Sequence, residues 1–349
     1  MLALVEITAW HWTGFIVGVL IFVALDLFVF HRDTRAITFK DAFFWTTVCF
    51  VLAMLFGVAL VPMRGKDEAM EFMTGYIIEL SLSMDNVFVI ALIFAYFRVP
   101  AEYQHRVLFF GFIDALIMRG TIIAIGTKVV EKFHFILYIL GAFLVYSGIK
   151  MIFAKEEGVH PERNPVIRLA QRWFPVTTHF DGAHFFSRLN GRLALTPLAL
   201  VLLMVETTDL VFAVDSIPAI FGVTTKPFII FTSNIFAILG LRSLYFVLVG
   251  ALGYFRYLKA GLAIVLVFIG AKMVGEKFIH IETVWSLVIV VGIILLSIAA
   301  SILGPNASRI HEQAYRTSSS PSPVPSPPRR GEGVRRTGEG EVRGEKPPN

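Results

Sequence analysis

Nine apolar blocks, most of them near 20 residues long, follow one another through this 349-residue chain. They cover roughly 12–30, 43–62, 72–97, 107–126, 134–153, 194–221, 228–250, 258–275 and 283–303. A helix of about 20 apolar residues matches the ~30 Å hydrocarbon core of a bilayer. Within lipid every backbone N–H and C=O must be satisfied inside its own segment. Such a chain is therefore expected to fold as an all-α polytopic membrane protein with about nine transmembrane helices. Charged residues make up 16% of the sequence, against about 25% in soluble domains. That excludes an ordinary soluble enzyme, a disordered chain and a coiled coil. The first block has neither a basic flank nor a small-residue cleavage site, so it is expected to be retained as a helix. The single cysteine, Cys49, excludes an intrachain disulfide and a Cys-rich metal site.

Lysine and arginine orient the spans. The loops after the first, third, fifth and seventh spans, with the C-terminal segment, carry 22 of the 31 basic residues, and the opposite side carries 7. The other two, Arg119 and Arg242, lie within spans. The N-terminus is thus expected outside, and the long 154–193 loop and the tail inside. The net charge of +5 is largely this orientation charge and does not point to nucleic acid. The tail from Thr317 is rich in Ser, Pro, Gly and Arg, cannot bury a core, and is expected to be disordered.

The sequence also repeats itself. Ser83-Met84-Asp85-Asn86-Val87-Phe88-Val89-Ile90 parallels Thr207-Thr208-Asp209-Leu210-Val211-Phe212-Ala213-Val214. Each block is followed by a loop with a proline (Pro100, Pro227) and a span with one embedded arginine (Arg119, Arg242). A helix ending in GIKM (148–151) or GAKM (270–273) completes each copy. Three spans per copy is an odd number, so the second copy must enter the membrane upside down. Spans 3–5 and 6–8 are expected to form a 3+3 inverted repeat, an arrangement that in secondary transporters places the site near the bilayer midplane. The chain then divides into 1–66 (two peripheral spans), 67–153 (first repeat), 154–193 (loop), 194–276 (second repeat), 277–304 (ninth span) and 305–349 (tail).

A charge inside a span costs roughly 2.5–3.5 kcal/mol on insertion scales. Span 3 nevertheless carries Glu79 and Asp85, and span 6 carries Glu206, Asp209 and Asp215. At 3.6 residues per turn, Glu206 and Asp209 share a face while Asp215 lies about a third of a turn away. One straight helix cannot aim all of them at one point. With Pro218 close by and Ser81, Ser83, Asn86, Thr207, Thr208 and Ser216 around the acids, both spans are expected to be discontinuous and to free carbonyls as ligands. Carboxylates, an amide, hydroxyls and carbonyls are all oxygen ligands. They suit hard dications such as Mn²⁺, Ca²⁺ or Mg²⁺ and disfavour Zn²⁺ and Cu⁺. Five acids exceed the charge of one dication, so some are expected to carry protons, a route to proton coupling. The competing reading is a set of neutral acids hydrogen-bonded between helices.

Other features weigh less. Asp26 is read as an interfacial residue near His31 and Arg32 rather than a ligand. Arg119 and Arg242 are read as structural, pairing with acids or capping carbonyls. Asp114, five residues before Arg119, is read as its local partner; the repeat has Ala237 there. His179, Asp181 and His184 match no strong zinc spacing and are read as a solvated loop. Pro165 to Trp173 has the pattern of a short basic interfacial helix. No H-E-x-x-H, G-x-S-x-G or Walker A pattern is present.

The runs ELSLSMDNVFVIALIFAYFRVPAEYQHRVLFFG and VETTDLVFAVDSIPAIFGVTTKPFIIFTSNIFAILGLRSLYF resemble the TerC family of integral membrane proteins. That family is named for tellurite resistance and includes bacterial manganese exporters. The resemblance covers nearly all of residues 15–303. It implies a metal-ion efflux protein of a bacterial inner membrane, related at fold level to the lysine-exporter superfamily, with Mn²⁺ as cargo. It also implies that the acidic motif falls on Glu79, Asp85 and Asn86 and on Glu206, Asp209, Asp215 and Ser216. Two features depart from the family pattern: Asp114, where a small neutral residue is expected, and the tail after 316.

The expectation is a non-enzymatic exporter working by alternating access, with no cofactor, a divalent ion and the lipid bilayer as partners, and oligomeric state left open. Asp85, Asp209 and Asp215 are expected to be direct ligands, Glu79 and Glu206 ligands or proton carriers, and Asn86 and Ser216 neutral ligands. The alternatives are a Ca²⁺ transporter and a non-transporting scaffold in tellurite or envelope stress. An intramembrane aspartyl hydrolase is disfavoured because its Gly-x-Gly-Asp sequence is missing.

Overall fold

The longest helices have 32 residues, which at 1.5 Å per residue is about 48 Å, more than a bilayer core needs. The computed structural model describes residues 7–30, 39–153, 164–177, 179–189, 191–249, 257–278 and 281–303, without the side chains of 26–30 and 302. Asp26, His31, Arg32 and the tail over 305–349 therefore lie outside what is described. Ten helices and one hairpin make up the described residues. They are α1 (Ala9–Phe30), α2 (Phe39–Arg64), α3 (Lys66–Phe97), α4 (Ala101–Lys132), α5 (Ile136–Phe153), α6 (Pro165–Trp173), β1 (Phe186–Leu189), β2 (Arg192–Leu195), α7 (Pro197–Phe221), α8 (Pro227–Val249), α9 (Leu258–Gly275) and α10 (Thr283–Leu303). Eight of these helices are long and apolar enough to cross a membrane, and α1 adds a shorter apolar stretch over Ala9–Leu25. The chain is a multi-pass, all-α membrane protein.

Local chemistry sets the helix ends. Thr196 caps α7 through the N–H of Ala199 with Pro197 in the first turn, and Asn164 caps α6 the same way ahead of Pro165. A short polar side chain at the cap and proline just inside it is the favoured start. α3 stops at Arg98, whose φ of 51° is left-handed, immediately before the Val99-Pro100 step that would disfavour continued helix. The expected basic segment forms α6. The β1–β2 hairpin, with Phe186 paired to Leu195 and Leu189 to Arg192, was not anticipated. It turns at Gly191, where φ is 77°.

The helices are not equally enclosed. Two-thirds of the apolar window of α8 is buried and half of that of α3, against about a sixth for α10. α3 and α8 form the interior; α2 packs against both, and α10 packs against α3 and α9. α1 meets α8 through Trp12 and Phe15 on Phe228 and Phe231. α5 and α9 run antiparallel with small residues at their seam. A Cβ on Gly141 would lie 3.0 Å from the carbonyl of Gly270, and one on Gly148 would lie 2.7 Å from the carbonyl of Ala263. Close backbone approach through small residues is how helices pack where lipid supplies no hydrophobic drive.

Two apolar clusters fill the interior. One takes Val107 and Leu108 of α4, Val87 to Phe94 of α3 and Leu198 to Val205 of α7. The other takes Ile123 and Val130 of α4, Ile78 of α3 and Ala213 to Phe221 of α7. The first lies toward the end of the bundle that carries the hairpin, the second toward the far end. A polar layer lies between them.

Candidate functional site

The layer is built around Arg119. This α4 side chain is only 2% exposed. It forms an ion pair with Glu79 of α3 and a second, at 3.3 Å, with Asp209 Oδ1 of α7. Its Nη1 also donates to Ser216 Oγ at 3.4 Å and to Asn234 Oδ1 of α8 at 3.5 Å. Asn86 Nδ2 donates to the same Asp209 Oδ1 at 2.7 Å. Four helices thus meet through one guanidinium, whose planar fork suits several acceptors at once. Asp209 Oδ2, Asn86 Oδ1 and Ser83 Oγ are buried with no hydrogen-bond partner. Orphaned acceptors of this kind are uncommon in protein interiors and call for an explanation.

Beside this layer is a cavity of about 30 Å³ lined by Asp85, Asn86, Arg119, Asp215 and Ser216, among others. Asp215 is held there by Ser147 of α5, whose hydroxyl donates to Asp215 Oδ1 at 2.7 Å. The structure therefore gathers Glu79, Asn86, Asp209 and Ser216 on Arg119 and places Asp85 and Asp215 on the adjoining cavity. Glu206, half-buried one turn before Asp209, stands close enough to Asp114 of α4 for their charges to repel. Among the described residues no three His, Cys, Asp or Glu side chains converge closely enough to hold a metal ion.

Two expectations are corrected. α3 and α7 are continuous helices, Pro218 included, because the acids need not face one point. α7 is enclosed on several sides, so Asp209 turns toward α3 and α4 while Asp215 turns toward α5. Asp114 is not the partner of Arg119, whose ion pairs go to Glu79 and Asp209; it lies within electrostatic reach of Asp209 and Glu206. Ser81, Thr207 and Thr208 bond the carbonyls four residues back, Ile77, Leu203 and Met204, so they serve the helix backbone. Ser147 and Asn234 lie outside the two acid-bearing spans and carry no charge that marks them in the sequence. The only signal for Asn234 was the polar run Thr232-Ser233-Asn234 inside an apolar block. In the loop, Asp181 accepts from Ser187 Oγ at 2.8 Å, and His184 Nδ1 lies 3.0 Å from the Asp181 carbonyl.

Residues 64–309, which contain this whole layer, match the sequence profile of the integral membrane protein TerC family. The chain belongs to the TerC family. An uncharacterized membrane protein of Myxococcus xanthus is 48% identical over 292 residues, covering 84% of this chain and 92% of that one. An Escherichia coli K12 protein whose name, Alx, carries the description membrane-bound redox modulator is 46% identical over 295 residues, 82% of this chain and 92% of its own. A Rickettsia felis membrane protein is 38% identical over 295 residues, 84% of this chain and 98% of its own. No solved structure matches. Both the Glu79–Asn86 stretch and the Glu206–Ser216 stretch fall inside the part shared with the TerC family.

Proposed function

We propose that this protein is a secondary transporter that exports a divalent cation, Mn²⁺ first among candidates, from the cytoplasm through the polar layer. One observation carries the reading. Acceptor oxygens of Asp209 and Asn86 are buried between two apolar clusters without a donor, beside a cavity lined by Asp85, Asp215 and Ser216. Buried acceptors are costly unless something positive meets them, and an all-oxygen set selects a hard dication. Glu79 is committed to Arg119, while Glu206 and Asp114 form a second acidic pair toward the hairpin end. In this reading that pair is the cytoplasmic approach and the natural proton carrier. The small cavity and its separated acids imply that ligands from α3 and α7 draw together as the ion loads.

Alternating access follows from a 3+3 inverted repeat of α3–α5 and α7–α9, which the packing supports. Each helix touches its counterpart, α3 on α7, α4 on α8 and α5 on α9. The offset that aligns GIKM with GAKM also carries the Gly141–Gly270 contact onto Ala263–Gly148, as a two-fold axis between the copies requires. Basic residues concentrate on the hairpin side, which makes that the cytoplasmic side of an inner membrane.

The description of the Escherichia coli relative, redox modulator, is compatible with this reading only as an indirect effect of metal level. The chain has one cysteine, Cys49, buried in α2, so it holds no thiol pair of its own for exchange. The test is elemental analysis of cells. Asp85→Ala and Asp209→Ala are expected to give folded protein that no longer lowers cell manganese. Normal efflux by either would remove that residue from the site. Reconstituted protein separates carrier from scaffold, because a scaffold gives no metal-dependent flux in liposomes. Ca²⁺ run in parallel decides the cargo.

A further inference from the structure

We propose that Arg119 is a tethered counter-cation that competes with the transported dication for the carboxylates of the polar layer, and so keeps binding weak enough for release. The inference rests on the cation-transport reading above. Its ground is where the guanidinium lies. A structural arginine in a membrane bundle needs one acid, and Glu79 alone supplies that pairing. Arg119 goes further, reaching Asp209 Oδ1 and Ser216 Oγ on α7 and Asn234 on α8, while also lining the cavity that Asp85 and Asp215 face. Asp209 is the pivot. One of its oxygens accepts from both Asn86 and Arg119, and the other is buried without a donor. A dication on that second oxygen would share a carboxylate with a positive charge only a few ångströms away. In a low-dielectric interior such repulsion is strong and unscreened.

The consequence is a division of labour. Glu79, Asp85, Asp209 and Asp215, once drawn together around an ion, would by charge alone hold a dication too tightly to turn over. Conduction and transport need a site that is attractive enough to enter and weak enough to leave. The arginine subtracts one charge permanently, and the second anchor on Glu79 lets its head swing from Asp209 without leaving the layer. As the ion loads, Arg119 retreats to Glu79; as the ion leaves, it returns to Asp209. It needs no proton for either movement, because arginine stays charged in proteins.

The experiment is Mn²⁺ binding and flux for the purified full chain, wild type against Arg119→Gln and Arg119→Lys, with melting in detergent as the folding check. Arg119→Gln is expected to lower the Kd for Mn²⁺ at least tenfold, to lower KM with it, and to slow maximal flux. Arg119→Lys keeps the charge but not the fork, and is expected to tighten binding by about threefold, on the geometric difference between the two cations. If Arg119→Gln does not fold, the lysine variant decides. An unchanged or weaker Kd in a folded variant overturns the proposal and leaves Arg119 as a positioning residue. If wild-type protein neither binds nor moves a dication while Arg119→Gln still folds, the transport reading itself falls, and this inference with it.

Discussion

Two places in the molecule tie the halves of the bundle together with a cation shared between two carboxylates, and they differ most in how much water reaches that cation. At the far end, Lys226 at the start of α8 meets Glu71 at 3.1 Å and Glu68 at 3.4 Å, both at the start of α3. Thr224 adds a hydrogen bond to Glu71 and Arg64 a fork to Glu68. In mid-bundle, Arg119 meets Glu79 and Asp209. The lysine side chain is 42% exposed, whereas Arg119 and Glu79 are each 2% exposed. At the far end only the lysine stays half-wet; Glu68 and Glu71 are 9% and 14% exposed, and because Glu68 keeps its fork to Arg64 and Glu71 its bond from Thr224, losing the lysine costs little. The mid-bundle group has no hydration to fall back on, and removing one partner strands the other. The same chemistry thus gives a releasable contact at the surface and, inside, an arginine that can exchange partners only while Glu79 holds it.

Mutations can break or sharpen that contrast. Glu79→Ala should cost the most, about 3–5 kcal/mol of unfolding free energy for stranding a buried charge, read as a lower melting temperature in detergent that salt does not restore. Gly148→Val should cost about 1–3 kcal/mol by overpacking, through the α5–α9 seam and with no change in charge. It sets the scale for a purely steric loss. Ser147→Ala releases Asp215 and should cost about 1.5 kcal/mol, the low end for a hydrogen bond to a charged group because Asp215 is half-buried. Its larger effect is expected on Mn²⁺ affinity. Lys226→Ala should cost at most about 1 kcal/mol and less still at high salt. A Lys226→Ala loss as large as that of Glu79→Ala would mean that solvent is not what separates the two clusters.

The spans were legible because block length and backbone satisfaction leave a membrane chain few choices, and α6 because its apolar and basic positions alternate at helical spacing. The hairpin was legible too, in the Asn190-Gly191 pair, but it is easily passed over between long apolar blocks. In the site, the acids announced themselves because charge in lipid is rare. Their partners did not. Ser147 and Asn234 are ordinary residues until tertiary packing aims them, and Arg119 shows its reach only once α3, α7 and α8 surround it. The expected helix breaks failed for a related reason. The six-residue offset between Asp209 and Asp215 is no misfit to one site; it records two neighbours, Arg119 with Asn86 for the first and Ser147 for the second.

The α5–α9 seam has a mechanical meaning of its own. Its two close approaches, Gly141 with Gly270 and Gly148 with Ala263, lie seven residues apart, about 10 Å along the helices at 1.5 Å per residue. Two backbone-to-backbone touching points on a line define a pivot in the way two pins define a door hinge. In the transport reading one half rocks on the other about that line, and the side chains of Leu144, Val267, Met273 and Val274, packed close beside the pins, must slide as it does. A bulkier residue at either pin would be felt as a seized joint, a loss of cycling rate in a site whose ligands are all still in place.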